Sequence, residues 1–384
     1  MRAVKSKYND RFNYKKLISP FIKERTRAVV NPFLPSEKQK PDAPARIFIY
    51  EYDANEIKYI KDAGIKKTCE FEDTDAVRWI NMDGVNKAAV ETIGNRFGVH
   101  MLIQEDILSH GQRPKMDDVE NILYVLLNML YYNPTTCGIE QEQISIVLAK
   151  NTVISFQEDA DRDVFDPIRE KLKINSHKIR IRGADYLFYS LIDEIVDSYF
   201  LVIEKLGERI EEIEELLLQK ANRQSFHSIN QLRKEIILLK RNTAPVRDLV
   251  SGFMRSESDL LDERTSKYFK DVYDHIVQAN ELTENYRDMV MSLQDLYLNS
   301  VNLRMNDVMK TLAIVTTVMA PATVIGGIFG MNFDVIPYAH QQWGFYATVF
   351  AMIFIPVIMI FWFRRRGWFQ KDLPHHEEDI HQND

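Results

Sequence analysis

The chain has 384 residues, a formal charge of −7, 45% hydrophobic and 27% charged residues, and a negative mean hydropathy. It is long enough for two domains and too polar for a transporter of many spans, so membrane-embedded sequence can only be a minority of it. Two cysteines, Cys69 and Cys137, fit no disulfide framework and no thiolate metal site, and the acidic balance disfavours nucleic acid as a partner and suits cations.

Residues 1–44 read as a basic N-terminal extension. Residues 1–40 alone hold 11 Lys and Arg against Asp10, Glu24 and Glu37, with no apolar segment of signal-peptide type. They read as a solvated tail, or as a segment that touches anionic lipid. From 45 to 255 the pattern is that of a cytoplasmic α/β and helical domain. Strands are predicted over Arg46–Asp53, Ala76–Asn81, Ile122–Tyr132 and Ile144–Phe156 from their β-branched and aromatic content. Helices are predicted over Lys87–Phe97 and Met101–His110, and a helical pattern runs from Ala184 to Met254. The charged run Glu208–Glu215 reads as a solvated helix face.

Residues 257–320 contain neither Gly nor Pro. This predicts one helix, a stalk over 256–310 that continues into a first membrane span at 311–331, more than roughly 90 Å in all. A second apolar run, 344–363, predicts a second span; each run is about 20 residues, the length that crosses a hydrocarbon core of about 30 Å. The connector 332–343 has no Lys or Arg, whereas Arg304 and Lys310 precede the first span and Arg364, Arg365 and Arg366 follow the second. Positive flanks stay in the cytoplasm, so both termini are expected there and the connector outside. Trp343, Trp362 and Trp368 fall at the interfacial levels. The tail 364–384, with its His375–His381 stretch, reads as a basic flank and a solvated cytoplasmic segment.

A 4-then-3 spacing keeps residues on one helix face. It links Asp295, Asn299, Asn302, Asn306, Met309, Ala313, Thr316, Ala320, Thr323, Gly327 and Gly330 into one seam in which nearly every side chain is small or polar. Tight helix packing accounts for Ala313, Ala320 and Gly327, but not for the stacked asparagines and the acid at the start. A water-filled passage accounts for both, and one helix cannot enclose a passage, so a symmetric oligomer follows. Met309 and Leu312, at the cytoplasmic edge, read as an apolar constriction or as ordinary packing residues.

Phe329-Gly330-Met331-Asn332-Phe333 closes the first span. A Gly-Met-Asn sequence directly after the first of two C-terminal spans resembles the signature of the CorA magnesium transporter family. Trp79-Ile80-Asn81, Gln104-Glu105-Asp106-Ile107-Leu108, Gln112-Arg113-Pro114-Lys115 and Asp271-Val272-Tyr273-Asp274-His275 also resemble it. The likeness covers about residues 45–370. It implies an α/β N-terminal cytoplasmic domain, a long α-helical stalk and two transmembrane helices, assembled as a funnel-shaped homopentamer in a plasma or cell inner membrane. Gly330, Met331 and Asn332 would form the external filter. Mg²⁺ sheds its water reluctantly, and a ring of Asn carbonyls would accept hydrogen bonds from that water. Gly330 would let the chain leave the helix.

The resemblance further implies a regulatory divalent site made by Asp106 and Asp271 of neighbouring subunits, with Glu105 and Asp193 near a second. Asp193 with Asp197, and Asp271 with His275, share a helix face by i,i+4 spacing. Cytoplasmic Mg²⁺ would favour the closed state. A swing from 1:99 to 99:1 needs about 5.5 kcal/mol, roughly 1 kcal/mol at each of five sites. The expected activity is membrane-potential-driven uptake of Mg²⁺, with Co²⁺ or Ni²⁺ also carried, and no enzyme motif is found. A zinc transporter of the same architecture and a membrane-anchored oligomeric scaffold are the competing readings.

Overall fold

The structure is a computed structural model that describes residues 45–70, 74–119, 121–158, 163–174, 177–331 and 341–369. The basic extension 1–44, Asn332 with most of the connector, and the histidine-containing tail lie outside the described residues. The chain divides into two units: one comprises residues up to Leu216 together with Arg223–Leu293, the other Leu217–Asn222 together with everything from Gln294.

The first unit is built on a seven-stranded sheet. Its strands are β1 (Arg46–Tyr52), β2 (Ile57–Ile60), β3 (Val77–Asp83), β4 (Lys115–Val119), β5 (Ile122–Asn133), β6 (Gly138–Ala149) and β7 (Thr152–Gln157), in the order β2-β1-β3-β7-β6-β5-β4. Every neighbouring pair is antiparallel except β3 with β7. All seven residues of β3 are buried, the reading of a central strand covered on both faces rather than an alternating half-exposed one. On one face, α1 (Ile65–Cys69), α2 (Lys87–Arg96) and α3 (Met101–Leu108) seal a core of Ile47, Ile80, Val90, Ile103, Tyr124 and Phe156, among others. The other face meets α4 (Asp166–Lys173), which follows β7, and the long helices α6 (Ala184–Lys220) and α7 (Arg223–Arg255); the four-residue α5 (Lys178–Ile181) links α4 to α6. There Tyr199 of α6 donates to the Asn128 carbonyl at 2.8 Å, and Asn128 donates to Asn242 of α7 at 2.9 Å.

Trp79, on the sheet face that meets α4, is the largest fully buried side chain among the described residues. It stacks on Tyr50 at 5.1 Å, meets Phe165 edge-on at 5.9 Å, and donates from Nε1 to Ser155 Oγ at 3.0 Å. Trp79→Ala removes the ring and orphans a buried hydroxyl acceptor. The expected cost is about 3–5 kcal/mol, read as a fall in melting temperature of the solubilised full chain; an unchanged melt would contradict this packing.

The last long helices are α8 (Glu263–Phe329, 67 residues) and α9 (Gln342–Arg365). Within the first unit, α8 packs on α6 and α7: Phe253 stacks on Phe269 at 5.0 Å, Thr243 donates to Asn280 at 2.9 Å, and Lys240 pairs with Glu284.

Several sequence expectations need correction at the level of elements. Ile144–Phe156 is not one strand but the end of β6 and all of β7, joined by a two-residue turn at Lys150-Asn151, with Ala149 opposite Thr152. Neither Gly nor Pro marks that turn. The helical stretch Ala184–Met254 is two helices, interrupted at Ala221-Asn222. The stalk helix begins at Glu263, not at residue 256. Asp262 fixes that start by accepting from Arg264 N on its carboxylate at 2.9 Å and from Thr265 N on its carbonyl at 2.8 Å, the work of an N-cap acid. β2, β4, α1, α4 and α5 are further elements that the sequence pattern does not mark.

Candidate functional sites

The acidic site lies in the first unit. On α6, Tyr189, Asp193 and Asp197 recur every four residues and line one face. On α8, Asp271 and His275 do the same. The two faces meet: one ligand atom each from Asp193, Asp197 and His275 lies within 4.8 Å of the others. His275 Nδ1 is 3.0 Å from Asp197 Oδ1. Tyr189 donates its hydroxyl to Asp193 Oδ2 at 3.0 Å, while Asp193 Oδ1 is buried with no hydrogen-bond partner. Burial first, and then the neighbouring Asp197 carboxylate, push the Asp193 pKa up to about 6, and Asp271 adds to the rise.

A buried carboxylate oxygen without a donor is costly unless a cation meets it. The donor set, two carboxylates and an imidazole with a third carboxylate nearby, fits a hard divalent ion. The imidazole widens the choice toward Co²⁺ and Ni²⁺. Mg²⁺ there would be held by oxygen atoms and its remaining water.

Glu105 and Asp106, on α3, are not part of this cluster. Asp106 is engaged within its own chain: Lys115 of β4 lies 2.5 Å from Oδ2, and Gln112 donates to Oδ1 at 2.8 Å. Nothing in the sequence marks Lys115 as the counter-charge of Asp106. It stands nine residues away and reaches Asp106 only because β4 pairs with β5. The i,i+4 spacing of Tyr189 to Asp193, by contrast, is visible in the sequence.

The second unit carries the seam. Asp295, Asn299, Asn302, Asn306, Met309, Leu312, Ala313, Thr316, Ala320, Thr323 and Gly327 are all exposed on α8 in the single chain. Many of their neighbours are exposed too, so exposure alone decides nothing; the direction of packing does. Ile314 and Val318 are the buried α8 residues here, packed with Met359 and Phe363 of α9, and Pro321, Ala322 and Ile325 are partly buried. At about 100° per residue, the Met309–Thr316–Thr323 line lies roughly half a turn from the Ile314–Val318–Ile325 line. The span thus gives its apolar face to α9 and turns its small and polar face the other way.

Thr316 donates its hydroxyl to the Leu312 carbonyl at 2.9 Å, and Thr323 donates to the Met319 carbonyl at 3.0 Å. The helix therefore consumes the donors and leaves hydroxyl lone pairs as acceptors. Acceptors are what the water shell of a cation needs. At the top of the helix, Gly330 donates to the Gly326 carbonyl at 2.9 Å. It does not take a positive φ. A Cβ at this position would stand only 3.1 Å from Gly326 O, so glycine serves close backbone approach rather than left-handed freedom. Met331 is exposed beside it.

Among the described residues, two helices are long and apolar enough to cross a membrane, Glu263–Phe329 and Trp343–Arg365. A large α/β part, a helix that runs from it into the first span, and a polar line facing away from the second span define a two-span membrane protein of ion-transporter type. Residues 74–365 match the family described as CorA-like Mg²⁺ transporter protein. The cobalt/magnesium transport protein CorA of Thermotoga maritima is 38% identical over 323 residues, which cover 84% of this chain and 92% of that protein. The cobalt/magnesium transport protein CorA of Methanocaldococcus jannaschii is 26% identical over 301 residues, covering 78% of this chain and 93% of the relative. The complete structure of the CorA magnesium transporter from Methanocaldococcus jannaschii superposes with a TM-score of 0.69 at 24% identity, covering 85% of this chain and 98% of that one. The chain belongs to the CorA-like Mg²⁺ transporter family.

Proposed function

We propose that this chain is one subunit of a homopentameric channel that admits hydrated Mg²⁺ and is closed by Mg²⁺ on its cytoplasmic side. Divalent-cation transport across a membrane, with magnesium as the main ion and cobalt as a second, is the activity of its family, and the chain is a transporter rather than an enzyme. The finer reading has both termini in the cytoplasm, the membrane being a plasma or cell inner membrane, with the α8 seam around a central wet axis and Gly330, Met331 and Asn332 at its outer mouth. The observation that carries it is the half-turn between the α9-packing face and the Thr316–Thr323 line. Lipid would reject acceptors on a bare helix face.

No charged residue lies between Thr311 and Phe329, so no fixed acid traps a dication midway. A membrane potential supplies about 2.3 kcal/mol per charge per 100 mV, hence roughly twice that for Mg²⁺ entering a negative interior. Asp193, Asp197, Asp271 and His275 supply the regulatory ligands, with Glu105 and Asp106 presented toward a neighbouring copy once Lys115 is displaced. A divalent ion there favours whichever state holds the carboxylates together.

The test is protein-dependent Mg²⁺ entry into proteoliposomes under an inside-negative potential. Entry that rises with the potential is expected. Its absence would leave the membrane-anchored scaffold, and faster Zn²⁺ than Mg²⁺ entry would favour a zinc carrier.

A further inference from the structure

The C-terminal end of α9 closes in a backbone reversal of the kind that also ends α2 at Gly98. Arg366 N donates to the Trp362 carbonyl at 3.0 Å, Gly367 N to Arg364 O at 3.2 Å, and Trp368 N to Phe363 O at 3.1 Å. Gly367, at φ 77°, makes this reversal possible, and the terminal carbonyls are thereby satisfied by the backbone itself. The three arginines are not needed to cap the helix. Nor do they pair with acids: elsewhere Arg209 meets Glu212 and Arg287 meets Glu284, but among the described residues Arg364, Arg365 and Arg366 have no acidic partner. The sequence itself holds no Asp or Glu between Asp334 and Asp372.

The aromatic residues then hold one of the cations, and the turn itself, in place. The Arg366 guanidinium lies over the Trp362 ring at 4.6 Å, Trp362 meets Phe363 edge-on at 5.3 Å, and the reversed chain sets Trp368 5.1 Å from Phe363. Phe363 is buried against Ile314 and Val318, so the turn is anchored to the helix pair and its arginines are held at one level. The apolar run 344–363 spans about 30 Å, the thickness of the hydrocarbon core. Arg364–Arg366 therefore emerge where lipid phosphates lie, flanked by two indoles that favour that interface.

We infer that this turn is a binding site for the phosphate of an acidic phospholipid, with Arg364 and Arg365 as the free guanidinium forks, Arg366 restrained on Trp362, and Trp368 against the acyl–headgroup boundary. Guanidinium forks match phosphate oxygens geometrically, and a backbone turn that is already set, with Arg366 held on Trp362, lowers the cost of ordering on binding. The inference rests on α9 spanning the bilayer, not on the proposed direction or gating of flux.

The test titrates the solubilised full chain with fluorescent phosphatidylglycerol and with phosphatidylcholine. Wild type is expected to prefer phosphatidylglycerol. Arg364→Gln, Arg365→Gln and Arg366→Gln together are expected to weaken phosphatidylglycerol binding on the order of a hundredfold, about fivefold per charge. The corresponding triple lysine variant is expected to stay within about fivefold of wild type, and Gly367→Ala to fall in between by disturbing the reversal. Unchanged melting and elution of the glutamine variant separate lost binding from lost folding, and if it does not fold the lysine and Gly367→Ala variants carry the test. Excess inorganic phosphate is expected not to displace the lipid. Equal affinity for the two lipids, a folded glutamine variant that binds like wild type, or displacement by inorganic phosphate would overturn the site.

Discussion

Replacing Thr316 and Thr323 together with leucine is expected to lower Mg²⁺ flux in proteoliposomes at least a hundredfold. Each hydroxyl already donates to its own helix, so what the substitution removes is an outward acceptor. One neutral hydrogen bond is worth about 1 kcal/mol net, and in the proposed pentamer each loss is repeated five times. Leucine at both levels also joins Met309 and Leu312 in an apolar passage that excludes water. Val315→Leu, on an exposed α8 face away from the seam, is the matched control and is expected to leave flux within about twofold. Asn332→Ala extends the test to the proposed outer mouth, where loss of the Asn amide is expected to slow flux and weaken discrimination between divalent and monovalent ions. Equal flux in the threonine double variant and in the control would remove the seam from the conduction path.

Asp193→Asn is expected to uncouple the protein from divalent ions while making its metal-free form more stable. The carboxylate is held half-buried, beside Asp197, with one oxygen unpartnered. Because its pKa rises from 3.8 to about 6 on folding, ionisation opposes the folded state. The sign follows: the penalty is absent below about pH 4 and complete above about pH 6. Chelator-treated variant and wild type should then melt alike in acid. Near neutrality the variant should be more stable by roughly 1–2 kcal/mol after allowance for solvent access.

With Mg²⁺ the order reverses. A ligand at a hundredfold excess over its Kd adds about 2.7 kcal/mol to a protein that binds it. Wild type should gain that stabilisation and the variant should not. In flux assays, Asp193→Asn combined with Asp271→Asn is expected to remain open at internal Mg²⁺ that closes wild type. A variant that keeps both the thermal shift and the closure would show that regulation lies elsewhere.

The spans and the long helix were legible in the sequence because a bilayer imposes length and polarity in a way no soluble packing does. The seam was legible for a related reason: helical geometry turns spacing into direction. The direction of α9 was not. It took the burial of Ile314 and Val318 to show which face of α8 the second span covers.

The acidic site was half legible. Asp193 with Asp197, and Asp271 with His275, are each readable as one helical turn, but nothing local says that the two turns face one another across two helices. Lys115 shows the same limit more sharply. Its strand is five residues long and lies at the sheet edge, so neither its pairing nor its reach to Asp106 leaves a periodic trace. The Lys150-Asn151 turn was hidden because β-branched residues stand on both sides of it and no glycine interrupts them.

The half-turn that separates the two faces of α8 also separates two kinds of selective pressure. Substitutions that suit the protein to a thicker or thinner host bilayer can accumulate on the outward aromatics of α9, such as the stacked pair Phe350 and Phe354, without reaching the proposed conduction surface. The proposed conduit therefore predicts, across homologues, an outer helix that drifts with habitat and a Thr316–Thr323 line that does not.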